Sequence, residues 1–165
     1  MQYYSKNKSI VLAALILWLF SQGALALTVS GGGETIITGG NGDPDLGNLV
    51  PVKTVFAFNA TKKKGHVDGR FECLALAPSA PGSGDLSANV MYVTGIVSEL
   101  ERNGRKKAVM RGLARITGLG AGEDVPFEAT IGAGPTGATF SLTVESLPDV
   151  VFREIVIDGR IQIER

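Results

Sequence analysis

Residues 52–76 read VKTVFAFNATKKKGHVDGRFECLAL, and this stretch decides the fold. On a period of two, Thr54, Phe56, Phe58 and Ala60 fall on one face, and Lys53, Val55, Ala57 and Asn59 on the other. After the turn, Val67, Gly69, Phe71, Cys73 and Ala75 alternate with His66, Asp68, Arg70 and Glu72. Successive side chains of a strand point to opposite faces, so two such segments around a lysine- and glycine-bearing turn predict a β-hairpin with the phenylalanines on its core side. The hairpin holds the chain's only histidine, His66, near the turn on the charged face, and its only cysteine, Cys73, on the face of Phe71. The alternation therefore separates the two reactive side chains.

Upstream, residues 1–26 read as a cleaved signal peptide. Lys6 and Lys8 give a positive start, residues 10–20 (IVLAALILWLF) an uninterrupted apolar run, and Ala24-Leu25-Ala26 a small-x-small cleavage site. As a helix that run is about 16 Å long, well short of the ~30 Å hydrocarbon core of a bilayer, which favours removal over retention as an anchor. Taking away Lys6 and Lys8 leaves 14 basic against 16 acidic residues, a balance of about −2, which gives no electrostatic case for nucleic acid or an anionic membrane surface. Export permits disulfides, but a lone Cys73 has no internal partner: it either pairs between chains or, as its place in the alternation favours, is a buried small hydrophobe.

The exported chain divides into a glycine-rich segment, residues 27–49, with a first short strand over residues 34–38, and a main body over residues 50–165. Asn41-Gly42-Asp43-Pro44-Asp45 sets three oxygen-bearing side chains at alternate positions, as a calcium loop does. Leu46 and Val52 stand where an EF-hand needs Gly and Glu, so the composition reads as an ordinary surface turn. Asn59-Ala60-Thr61 matches the glycosylation sequon, meaningful only in a eukaryotic secretory pathway. Residues 77–86 (APSAPGSGDL) form a linker between strands.

In residues 90–116, Asn103-Gly104 predicts a two-residue type I′ hairpin, because both of its central residues must take positive φ. That register sets Glu101 against Lys106, Val97 against Met110, Val93 against Ala114 and Met91 against Ile116. Arg111 and Arg115 then share the other face with Tyr92 and Ile96, where Arg115 either stacks on Tyr92 or lies free on the surface. The glycines of residues 118–122 superficially match a nucleotide loop, but Val125, Phe127, Ala129 and Ile131 continue as a strand where that loop requires a helix. Ala138, Phe140, Leu142 and Val144 form another strand, and Ile161 and Ile163 alternate with Arg160, Gln162 and Glu164 in the last. The fold class is all-β: a single compact antiparallel β-sandwich or small β-barrel of eight or nine strands.

These motifs resemble the post-COAP family of small secreted bacterial β-rich domains. The resemblance rests on Gly31-Gly32-Gly33, Phe56-Ala57-Phe58-Asn59-Ala60, Gly65-His66-Val67, the hairpin leading to Gly118, and Asp158-Gly159-Arg160-Ile161-Gln162-Ile163. Phe71-Glu72-Cys73 only partly fits the family's aromatic-x-acidic pattern, and residues 145–149 (ESLPD) lack the glycines of its last turn. The resemblance implies a secreted β-rich module without an assigned catalytic activity.

For catalysis the residues offer little: His66 is the only imidazole, Cys73 faces away from it, and His and Cys are too few for a zinc site. No catalytic, cofactor-binding or metal-ligating residue is assigned, and no cofactor is expected. The functional expectation is a secreted or periplasmic, non-catalytic structural or interaction module with an extracytoplasmic protein or polymer partner and no membrane span after cleavage. The alternatives are a small-ligand carrier, with Gly69, Ala75, Gly95, Gly112 and Ala114 leaving room in a barrel, and a secreted hydrolase using His66.

Overall fold

A computed structural model of the chain describes residues 26–37, 52–80, 83–134, 137–148 and 152–165. The expected signal peptide, apart from its last residue Ala26, and the expected turn at Asn41 to Asp45 lie outside the described residues. Eight strands follow in order: β1 (Leu27–Ile37), β2 (Val52–Lys63), β3 (His66–Pro78), β4 (Leu86–Asn103), β5 (Lys107–Gly118), β6 (Gly122–Gly132), β7 (Thr139–Val144) and β8 (Phe152–Glu164). Each pairs antiparallel with the next, and β8 returns to β1 to close a barrel. Closure settles the choice between sandwich and barrel, and it gives every strand a neighbour on both sides for at least part of its length.

The expected hairpin of residues 52–76 forms, and its ladder sets Phe58 opposite Phe71 and Phe56 opposite Cys73. Lys64 and Gly65 carry its turn at φ 52° and 83°, both positive as a tight two-residue hairpin demands. The predicted inward faces of β2, β3, β6 and β7 are buried almost throughout, Val67 and Ala138 near the strand ends being half-buried. Five phenylalanine rings cross the interior as one stack: Phe58 on Phe56 at 6.1 Å between centroids, Phe56 on Phe140 at 4.3 Å, Phe140 on Phe71 at 6.1 Å, and Phe71 on Phe127 at 5.0 Å. Small residues make room for these rings. A Cβ added at Gly95 would come within 2.7 Å of Phe127 Cε1, and one at Gly31 within 2.9 Å of Phe58 Cζ. Outward positions such as Asn59, Arg70, Glu72, Thr94 and Arg115 are exposed.

Two expectations are corrected. The first strand is not a short piece over residues 34–38: β1 begins at Leu27 and lies between β2 and β8 along its length. Its three glycines run inside the strand because the neighbouring backbones approach closely, Arg160 O standing 2.5 Å from a Cβ placed on Gly31 and Asp158 O 2.5 Å from one on Gly33. The β4–β5 hairpin is also out of the predicted register. Asn103 pairs with Lys107 across the loop of residues 104–106, so Leu100 meets Met110, and only Gly104 has positive φ (76°) in that loop. Arg102 decides this geometry by donating from Nε to Gly104 O (2.9 Å) and from Nη2 to Arg105 O (2.8 Å). A bulge between Val97 and Glu99 then shifts the ladder again, placing Val93 opposite Ile116 and Gly95 opposite Ala114.

Candidate functional site

The residues singled out from sequence do not converge. His66 starts β3 at the exposed hairpin tip opposite Lys63, whereas Cys73 is buried against the phenylalanine stack as a free thiol. Burial, with the Glu154 carboxyl nearby adding to it, pushes the Cys73 thiol far above its ordinary range, so it stays protonated and inert. Lys62 is engaged through a bond from its Nζ to Leu100 O (3.3 Å). Arg111 spans Glu128 (2.7 Å) and Glu101 (3.2 Å), and Arg115 pairs with Glu123 at 2.8 Å, which makes its contact an acidic side chain and not the Tyr92 ring. No group of three His, Cys, Asp or Glu side chains able to hold a metal ion occurs among the described residues.

Two features that the sequence reading missed stand out. The first is a polar group inside the barrel. Glu154 on β8 is only 6% exposed, with Oε1 accepting from Thr54 Oγ1 at 2.9 Å, while Oε2 has no partner among the described residues. Thr35, also buried, donates to the Thr54 carbonyl at 3.5 Å. Burial pushes the Glu154 carboxyl up to about 7, against a weaker downward pull from the Thr54 hydroxyl. Around it Ile155 and Ile157 are exposed, the reverse of what the apolar alternation of this segment suggests.

The second feature is a cleft of about 510 Å³ at the end of the barrel where β1 begins and β8 ends. It arises from unequal strand lengths. The β7–β8 ladder stops at Thr139 opposite Ile155, whereas the β1–β8 ladder continues to Thr28 opposite Glu164. The last bond on the β7 side runs from Val156 N to Ala138 O (2.8 Å). Beyond it β8 overhangs, and Gly159, Arg160, Ile161 and Ile163 line one wall of the cleft. Arg105 and Lys106 of the β4–β5 loop line the other, with Ala133, Gly134 and Ala138 of the β6–β7 connection. That second wall is held together, since Ala133 N donates to Lys106 O at 2.7 Å and Arg102 clamps the Arg105 carbonyl. Ile161 is buried and Ile163 half-buried, so the floor is apolar; Arg105, Lys106 and Arg160 are exposed, so the rim is cationic. None of these three cations forms an ion pair among the described residues. Such a rim is suited to carboxylate, sulfate or phosphate groups.

Compared with known proteins, the chain matches no family model, no curated protein and no solved structure. The cleft therefore has to be read on its own geometry. The basic run Arg105-Lys106-Lys107 was one visible signal, but its counterpart Arg160 and the overhang that joins them depend on how β7 and β8 end.

Proposed function

We propose that this chain is a secreted or cell-envelope, non-catalytic β-domain that acts as an interaction module and binds through the cleft beside the β8 overhang. The observation that carries the reading is the cleft itself: it opens where the barrel wall is interrupted, has an apolar floor, and is rimmed by Arg105, Lys106 and Arg160. Export is supported by the leader of residues 1–26 and by the resemblance to a secreted family. The face polarity supports a water-exposed barrel, since an apolar interior and charged outward positions reverse the pattern of a lipid-facing barrel.

The ring stack speaks against a ligand carrier, because Gly95 and Gly112 lie beside Phe127 and leave their space to phenylalanine instead of a guest. For a hydrolase, His66 at a hairpin tip with Cys73 on the other side of the wall offers no paired nucleophile and base.

The test is a comparison of two baits. Wild-type protein and a Lys106→Glu/Arg160→Glu variant are presented to solubilised cell envelope and secreted polymer. A component retained by the wild type and lost by the variant supports the cleft. Retention unaffected by the charge reversal, or no retention at all, removes it.

A further inference from the structure

We infer that the cleft takes an extended acidic polypeptide segment, which adds as a strand to the overhanging edge of β8; this rests on the reading of the cleft as the binding site. Among the described residues β8 has β1 as its only strand neighbour from Ile157 onward, so every second N–H and C=O on its other edge faces away from the ladder. That edge lines the cleft over residues 159–163, a length of about 17 Å at ~3.3 Å per residue, enough for roughly five residues of an added strand. An edge left open in a cleft is a template for another chain.

The side chains around it define what that chain is. Alternate residues of an added strand face the floor of Ile161 and Ile163 and find apolar surface. The intervening residues point to the rim, where Arg160 on β8 and Arg105 and Lys106 across the cleft favour carboxylates. β7 already pairs antiparallel with this edge as far as Thr139, so an incoming strand in line with β7 continues the same ladder. A second copy of this chain is disfavoured, because pairing two β8 edges brings two Arg160 side chains and their basic rims together. An acidic glycan answers the charge but not the edge, having no row of amide donors at strand spacing.

The experiment uses a fluorescein-labelled six-residue peptide alternating valine with glutamate, titrated by fluorescence anisotropy against the folded protein. Its comparators replace glutamate by lysine, or carry N-methyl groups on one or the other alternate set of amides; hexagalacturonate is the acidic glycan. Binding of the parent peptide is expected, weakened at least tenfold by Lys106→Glu/Arg160→Glu and by the lysine version. One N-methylated set is expected to weaken binding at least tenfold and the other to leave it nearly unchanged, since only one edge of the added strand meets β8. Arg115→Glu, on the outer wall, is the neutral control, and an unchanged melting temperature shows that the variants are folded. Equal binding of both N-methylated sets, or of hexagalacturonate with the same sensitivity to charge reversal, overturns strand addition while the cleft stands as an anion site. A dimer in sedimentation velocity that the peptide does not dissolve also overturns it, in favour of a second copy. Absence of peptide binding at millimolar concentration overturns the inference, and if the bait comparison is also insensitive to charge reversal, the cleft reading falls with it.

Discussion

Glu154 is the residue whose environment differs most from its chemistry. A carboxyl with one oxygen bonded to Thr54 and the other unpartnered is stabilised by keeping its proton, and burial moves its titration from 4.5 to about 7. Because the folded state holds the proton more tightly than the unfolded chain, this contribution is fully present below pH 4.5 and is lost as pH rises through 7. The total is on the order of 3 kcal/mol. Denaturant unfolding followed from pH 4 to pH 8 should show that loss in the wild type. Glu154→Gln, which keeps the Thr54 contact without the ionisation, should flatten the profile and be the more stable protein at pH 8. Gly95 is the second informative position. A methyl group there meets Phe127 Cε1 at 2.7 Å and Ala114 Cβ at 3.2 Å, so Gly95→Ala should cost about 1–3 kcal/mol by overpacking. Adding Phe127→Leu should recover part of that loss in a double-mutant cycle, because the ring is what the methyl strikes.

At the scale of single elements, the β2–β3 hairpin is closed by a turn whose first residue, Lys64, sits at φ 52°. A lysine tolerates that region poorly, whereas asparagine enters it readily and Asn-Gly is the preferred pair for this turn. Lys64→Asn should therefore raise stability by about 0.5–1 kcal/mol in thermal or denaturant unfolding without changing the strand register. β4 and β5 show the opposite case, in which a favourable dipeptide loses to its surroundings. Asn103-Gly104 is present, but the Arg102 side chain gains two carbonyl acceptors by extending the loop to residues 104–106, and the bulge between Val97 and Glu99 restores the inward direction of Met91, Val93 and Val97. Face assignment survived this shift because a change of even size leaves the same side chains inside.

For the whole barrel, the phenylalanine stack joins β2, β3, β6 and β7 across the lumen, while the wall is thinnest at β7. Among the described residues β7 pairs with β8 from Thr139 to Leu142, and with β6 from Thr139 to Val144. Local opening should start at that seam. In native-state hydrogen exchange, amides of β7 and of residues 152–156 should exchange faster than those of the β2–β3 and β3–β4 ladders; uniform protection around the barrel would count against a weak seam. The same shortness of β7 creates the overhang of β8 and hence the cleft, so the least protected part of the wall adjoins the proposed binding edge.

The all-β class, the β2–β3 hairpin and the inward phenylalanines were all legible in the residues, because a period of two and local turn chemistry act over a few positions. Cys73 inside and His66 outside followed from the same rule. Alternation does not reveal where a ladder stops or where a bulge reverses a face. In β8 the irregularity between residues 156 and 158, together with Gly159 at φ 129°, separates the inward set of Glu154 from the inward set of Ile161. Closure of β8 onto β1, the burial of Glu154, and the meeting of Arg160 with Arg105 and Lys106 were decided by the tertiary structure alone. Each depends on how strands distant in sequence differ in length and register, and that difference is set by packing around the ring stack, beyond the reach of any short stretch of chain.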